Sequence, residues 1–165
     1  RKLSMRTLQI RKNSFIDTEC NFSFDETAKI FPREIKTVNK YINPIKILVV
    51  EDTIICQKMA MLTFSQPHYI IDIAISGYEA IKKYKENSYH IILLDLGLPD
   101  IDGLAVCRYI REQMGDKNIP IIAYSANHLS KEECLAAGFS EIVLKPAEKN
   151  TLESLINKLL INSIR

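Results

Sequence analysis

Short apolar runs in this chain are each followed at once by a polar residue with chemical capability. Glu51 and Asp52 follow Lys46 to Val50, Asp95 follows Tyr89 to Leu94, Ser125 follows Ile119 to Tyr124, and Lys145 follows Glu141 to Leu144. Gathered at one place, three carboxylates would repel one another by roughly 4 kcal/mol per close pair at a surface-like dielectric. A divalent cation relieves that strain, and a set of hard oxygen donors without His or Cys suits Mg²⁺ or Mn²⁺. Asp95 stands alone at the end of its run and is the candidate nucleophile. Its carboxylate can attack phosphorus to give an aspartyl phosphate, whose oxygens the metal, Ser125 and Lys145 would hold. Acidic residues at such positions also solvate loops or cap helices. That bland reading serves for Asp100, Asp102 and Asn127; the joint occurrence of Glu51, Asp52, Asp95, Ser125 and Lys145 at successive run ends favours chemistry.

For these residues to meet, the runs must be neighbouring strands pointing the same way. Five candidate strands, Lys46 to Val50, Tyr69 to Ile75, Tyr89 to Leu94, Ile119 to Tyr124 and Glu141 to Leu144, alternate with segments of helical spacing. Helices are expected at about 53–65, 77–86, 103–114 and 128–137, and a last one is marked by Leu152, Leu155, Ile156, Leu159 and Leu160. Gly77 and Gly103 sit where loops turn into helices, and Gly138 is a natural helix stop. Alternating βα units predict an α/β fold, a doubly wound five-stranded parallel sheet of order 2-1-3-4-5. In that order strands one, three and four are adjacent, and the ligand site lies at their carboxyl ends. The methionines and Cys56, Cys107 and Cys134 fall at helical spacing and read as core.

With 165 residues, 47% hydrophobic and 25% charged, the chain has room for one domain and a tail. No apolar run approaches the roughly 18 residues that cross a bilayer, so no membrane contact is expected of this domain. The four cysteines are scattered and the three histidines dispersed, which argues for reduced, cytoplasmic thiols and against a histidine metal site. Residues 1–44 carry nine Lys or Arg against five Asp or Glu, leaving thirteen against fifteen in the remaining 121. A body near −2 argues against direct nucleic-acid binding. The tail, 1–44, holds one short alternating stretch at Cys20, Phe22 and Phe24 and lacks an apolar pattern for a core of its own.

Residues 45–165 closely resemble the response-regulator receiver domain of two-component signalling, a flavodoxin-like fold. The resemblance rests on Ile47-Leu48-Val49-Val50-Glu51-Asp52, on Leu93-Leu94-Asp95-Leu96-Gly97-Leu98-Pro99-Asp100-Ile101-Asp102-Gly103, on Ala123-Tyr124-Ser125-Ala126 and on Leu144-Lys145-Pro146. It implies that Asp95 accepts phosphate from a phosphohistidine, the domain catalysing its own phosphorylation and dephosphorylation. Glu51, Asp52, Asp95 and the backbone carbonyl of Gly97 would hold Mg²⁺. Ser125 would reposition toward the phosphoryl group, Lys145 would pair with it, and Pro146 would follow a cis peptide bond. One position departs from the commoner pattern: Ile142 stands three residues before the Lys, where many receivers place Tyr or Phe, so an aromatic rotamer switch is not expected there. The positions that tune hydrolysis in the family are held by Gly97 and Asn127.

The partners implied are a histidine kinase domain, a histidine phosphotransfer protein or both, with a phosphorylation-dependent dimer as a further expectation. Cys20-Asn21-Phe22-Ser23-Phe24 is similar to the closing strand of a histidine-kinase ATP-binding domain. With the non-Met start and no output domain after Arg165, this favours the C-terminal receiver of a hybrid sensor histidine kinase, cytoplasmic itself, the parent anchored in the inner membrane. The alternatives are a stand-alone single-domain regulator and a phosphorylation-independent pseudo-receiver that serves as a docking module. A phosphoesterase with an Asp nucleophile needs a second Asp two residues on, where this chain has Gly97.

Overall fold

The computed structural model describes residues 44–126 and 130–162. The expectations for Cys20, Phe22, Phe24 and Asn127 therefore lie outside the described residues. Five parallel strands, β1 (Ile45–Val50), β2 (Tyr69–Ala74), β3 (Ile91–Leu94), β4 (Ile121–Ser125) and β5 (Glu141–Leu144), form one sheet in the order β2-β1-β3-β4-β5. The predicted order holds, and each strand matches its predicted run to within two residues.

Alternation along the strands sorts the side chains into two cores. On one face Leu48, Val50, Ile92, Leu94, Ile121 and Ala123 pack against Ala80 of α2 (Gly77–Glu86), Val106 and Cys107 of α3 (Gly103–Arg108) and Cys134 of α4 (Lys131–Ala137). On the other, Ile45, Ile47, Val49, Ile91, Leu93 and Ile122 meet Ala60 of α1 (Ile54–Thr63) and Leu152, Ile156 and Leu160 of α5 (Lys149–Asn162). Covering both faces is what makes the strands continuous apolar runs. Among the described residues no helix is long and apolar enough to cross a membrane.

Three sequence expectations change. The helix predicted over about 103–114 is α3 followed by a π-turn, Tyr109–Gln113. That turn carries Arg111, whose guanidinium donates to the carbonyls of Gly138, Asp116 and Ile119 at 2.9, 2.9 and 2.8 Å and ties together the starts of β4 and β5. The helix predicted from residue 128 begins at Lys131, because Ser130 takes the extended cap conformation and accepts from the Glu133 amide. Met59 and Met61 are not core: both are more than half exposed, the buried positions here being Ala60 on α1 and Phe64 just after it. Cys107 and Cys134 are fully buried as expected, and Cys56 is half-buried.

Candidate functional site

The sheet places the site through its own hydrogen bonds. Parallel register pairs Val50 with Leu94, Leu94 with Ala123 and Ser125 with Leu144, so the strands end nearly level. The ladder then runs one residue further. The Glu51 amide donates to Ala74 O at 2.9 Å, the Asp95 amide to Val50 O at 3.0 Å and the Lys145 amide to Ser125 O at 2.9 Å. Glu51, Asp95 and Lys145 thus leave the sheet from a backbone already fixed.

One carboxylate oxygen from each of Glu51, Asp52 and Asp95 lies within 4.8 Å of the others. The Lys145 ammonium bridges two of them, donating to Asp95 Oδ2 at 2.6 Å and to Glu51 Oε2. Burial opposes the ammonium charge, but the hydrogen bonds to Asp95 and Glu51 and their charges outweigh it and hold Lys145 above the ordinary lysine range. Three further carboxylate oxygens accept locally. Thr53 N donates to Glu51 Oε1 at 3.2 Å, Thr53 Oγ1 to Asp52 Oδ1 at 3.2 Å, and Gly97 N to Asp95 Oδ1 at 3.1 Å. Glu51 is almost wholly buried, Asp52 exposed and Asp95 between them. Ser125 is buried at the end of β4, next to the strand that delivers Lys145. The Lys145–Pro146 peptide is cis. Ile142 packs half-buried against the core on the α2–α4 side.

Three carboxylates against one ammonium leave a local charge of −2, which one divalent cation balances. The donors are all hard oxygens, so Glu51, Asp52 and Asp95 fit Mg²⁺. No other group of His, Cys, Asp or Glu among the described residues is placed to hold a metal.

The family model for the response regulator receiver domain matches residues 47–157. This chain belongs to that family. As a receiver it is 32% identical over 123 residues to hybrid signal transduction histidine kinase M of Dictyostelium discoideum, matching over 70% of this chain and 5% of that protein. It is 36% identical over 120 residues to the transcriptional regulatory protein ResD of Bacillus subtilis, over 72% of this chain and 49% of that protein. The receiver thus spans half or less of these curated relatives. Among solved structures, the receiver domain of sensor histidine kinase PA1611 from Pseudomonas aeruginosa superposes with a TM-score of 0.65 at 30% identity, covering 72% of this chain and 98% of that one. That neighbour has a magnesium ion coordinated in its active-site cleft.

Sequence reasoning read two supports of the site only in part and missed a third. Gly103 was legible as a helix start, but a Cβ there would lie 2.3 Å from the Asp95 carbonyl oxygen, so only glycine lets α3 begin against that strand end. Asp100 does cap a helix, as expected, but a distant one: its carboxylate accepts from the Gly77 and Tyr78 amides of α2 at 2.9 and 2.8 Å. Tyr124 places its ring 5.4 Å from the Lys145 ammonium. Its only sequence signal is an aromatic residue immediately before Ser125.

Proposed function

We propose that this receiver is a phosphoacceptor in which Asp95 takes a phosphoryl group from the phosphohistidine of a histidine kinase or histidine phosphotransfer protein. A carboxylate oxygen of Asp95 bonds to phosphorus as the phosphorus–nitrogen bond breaks, and the electron pair returns to the donor imidazole. Glu51, Asp52, Asp95 and the Gly97 carbonyl would hold Mg²⁺, which when bound supplies charge neutralisation for the phosphoryl oxygens. Lys145 and Ser125 hold those oxygens once transfer is complete, and Ser125 on β4, Ile142 on β5 and Pro146 just after β5 lie on the segments that then readjust. The observation that carries this reading is the Lys145 ammonium seated between Asp95 and Glu51 beside a third carboxylate. A solvating cluster has no use for a shared, largely buried cation.

The face beside the site supports a protein donor. On α1, Ile54, Ile55, Met59 and Leu62 are exposed by 64, 73, 56 and 67%. These residues follow the helical period on the side away from Ala60, giving an apolar stripe that starts two residues after Asp52. The parent is proposed to be a hybrid sensor histidine kinase, in keeping with the Dictyostelium relative, residues 45–165 being its receiver and 1–44 the segment leading into it. A reading frame upstream of Arg1 lacking a kinase core would overturn that assignment.

Intact mass after incubation with Mg²⁺ and either acetyl phosphate or a phosphorylated histidine phosphotransfer protein tests the proposal. Wild type gains one phosphoryl group from both donors, and Asp95→Asn from neither. Leu62→Lys keeps labelling by acetyl phosphate and loses transfer from the protein donor. Labelling of Asp95→Asn, or a folded wild type inert to both donors, refutes the phosphoacceptor reading.

A further inference from the structure

Lysine carries its charge on a flexible four-carbon stem, and the Glu51 and Asp95 carboxylates fix the Lys145 ammonium through two ion pairs. Tyr124 is a further neighbour of that ammonium. Parallel pairing sets Tyr124 opposite Val143. Because side chains alternate, Tyr124, Val143 and Lys145 project toward the same side of the sheet, the side that α1 and α5 cover. The Lys145 ammonium lies 5.4 Å from the Tyr124 ring centroid, within cation–π range. The Tyr124 hydroxyl accepts from the Ala147 amide at 3.4 Å, and both residues pack against the α1–α5 core.

We infer that Tyr124 is a positioning residue: its ring braces the Lys145 ammonium against Asp95 and Glu51, and its hydroxyl fastens the backbone two residues beyond Lys145. The residue reaches no reacting atom. It acts by narrowing the positions open to the ammonium that meets the Asp95 carboxylate. Ile142 projects into the opposite core, so the aromatic neighbour of this site stands on the α1–α5 side of the sheet. The effect on rate rests on the phosphoacceptor reading; the contact itself does not.

Two measurements separate them. In the wild type without phosphodonor, NMR should give a nuclear Overhauser effect between the Tyr124 ring protons and the Lys145 Hε protons. Its absence overturns the contact, and this needs no variant to fold. In Tyr124→Leu, labelling by acetyl phosphate should slow by roughly three- to tenfold, as befits loss of a cation–π contact. Mg²⁺ affinity, read by titration, should stay within about twofold, because the carboxylates of Glu51, Asp52 and Asp95 are held by Thr53, Gly97 and Lys145 rather than by Tyr124. Tyr124→Phe, which keeps the ring, should rescue most of the rate while the Ala147 amide loses hydrogen-exchange protection. A Leu variant at the wild-type rate, equal slowing in Phe and Leu, or a parallel loss of rate and Mg²⁺ affinity each overturns the positioning role. A wild type that shows the Overhauser effect yet takes up no phosphoryl group leaves the brace standing and refutes both the phosphoacceptor reading and the rate effect built on it.

Discussion

Lys145 is the residue on which the electrostatics of the site turn. Its ammonium answers two of three clustered carboxylates, and removing it leaves Glu51 buried without that partner. Stripping one member from a buried pair usually costs about 3–5 kcal/mol. Asp95 and Lys145 keep some solvent contact, so about 1–3 kcal/mol is the expected loss in Lys145→Met without metal. Loss of one charge-stabilising donor should slow phosphoryl uptake by roughly a hundredfold, read as a mass time course with acetyl phosphate. Uptake at the wild-type rate would remove Lys145 from the chemistry. The pH sign follows from a folded pKa raised above the ordinary 10.5. The stability contributed is present in full below that value and is lost as pH climbs through the folded pKa. Tyr84 and Tyr89, raised by burial and by their bonds to Asp116 and Asp72, lose stability over the same alkaline range. Subtracting the Lys145→Met curve from wild type removes their contribution and should leave a decline confined to strongly alkaline pH.

Helices and strands were legible to different degrees, for physical reasons. Ile47 to Val50 and Ile91 to Leu94 are apolar throughout because both sheet faces are covered, and such runs announce strands and their parallel order. The site residues were legible because each directly follows such a run. Less visible was anything decided by direction. α1 is apolar nearly all round, so its period cannot say that Met59 faces out and Ala60 in. Asp100 reads from sequence as a loop carboxylate, and only the fold brings it to the N-terminus of α2, where it accepts from Gly77 and Tyr78. Burial would raise its pKa, but the amide bonds from Tyr78, Gly77 and Ile101 and the Ser76 side chain outweigh it and bring it to about 2. A depressed carboxylate stabilises the fold above its unfolded value, and that contribution is lost as pH falls through the folded one. Asp100→Asn should therefore cost about 1 kcal/mol at neutral pH, as loss of a charged cap does. It should also flatten the fall in stability between pH 4 and about 2, measured by urea melts. An unchanged acid limb would show that the bond to α2 does not persist in solution.

At the scale of the whole molecule, the sheet holds three carboxylates at one edge, and that makes stability and ligand binding one quantity. The strand ends are locked by ladder bonds from Glu51, Asp95 and Lys145, so the backbones that carry Glu51 and Asp95 cannot move apart without breaking that pairing. Unfolding releases them, and a cation that binds the folded cluster has little to bind in the unfolded chain. Mg²⁺ at about a hundred times its dissociation constant should therefore stabilise the receiver by about 2.7 kcal/mol, a rise in Tm of several degrees. Asp52 offers the cleanest control. It is exposed, it belongs to the cluster, and it makes no bond to Lys145, so Asp52→Asn lowers the local charge from −2 to −1 without disturbing the bridge. That variant should be as stable as wild type or slightly more so in metal-free buffer, where it has one less repulsion, and should lose most of the Mg²⁺-dependent rise. Calorimetry with and without Mg²⁺, Ca²⁺ serving as a second divalent ion, reads both effects. Equal Mg²⁺ shifts in the two proteins would mean that the cation binds elsewhere and that the repulsion at the sheet edge is already answered by Lys145 alone.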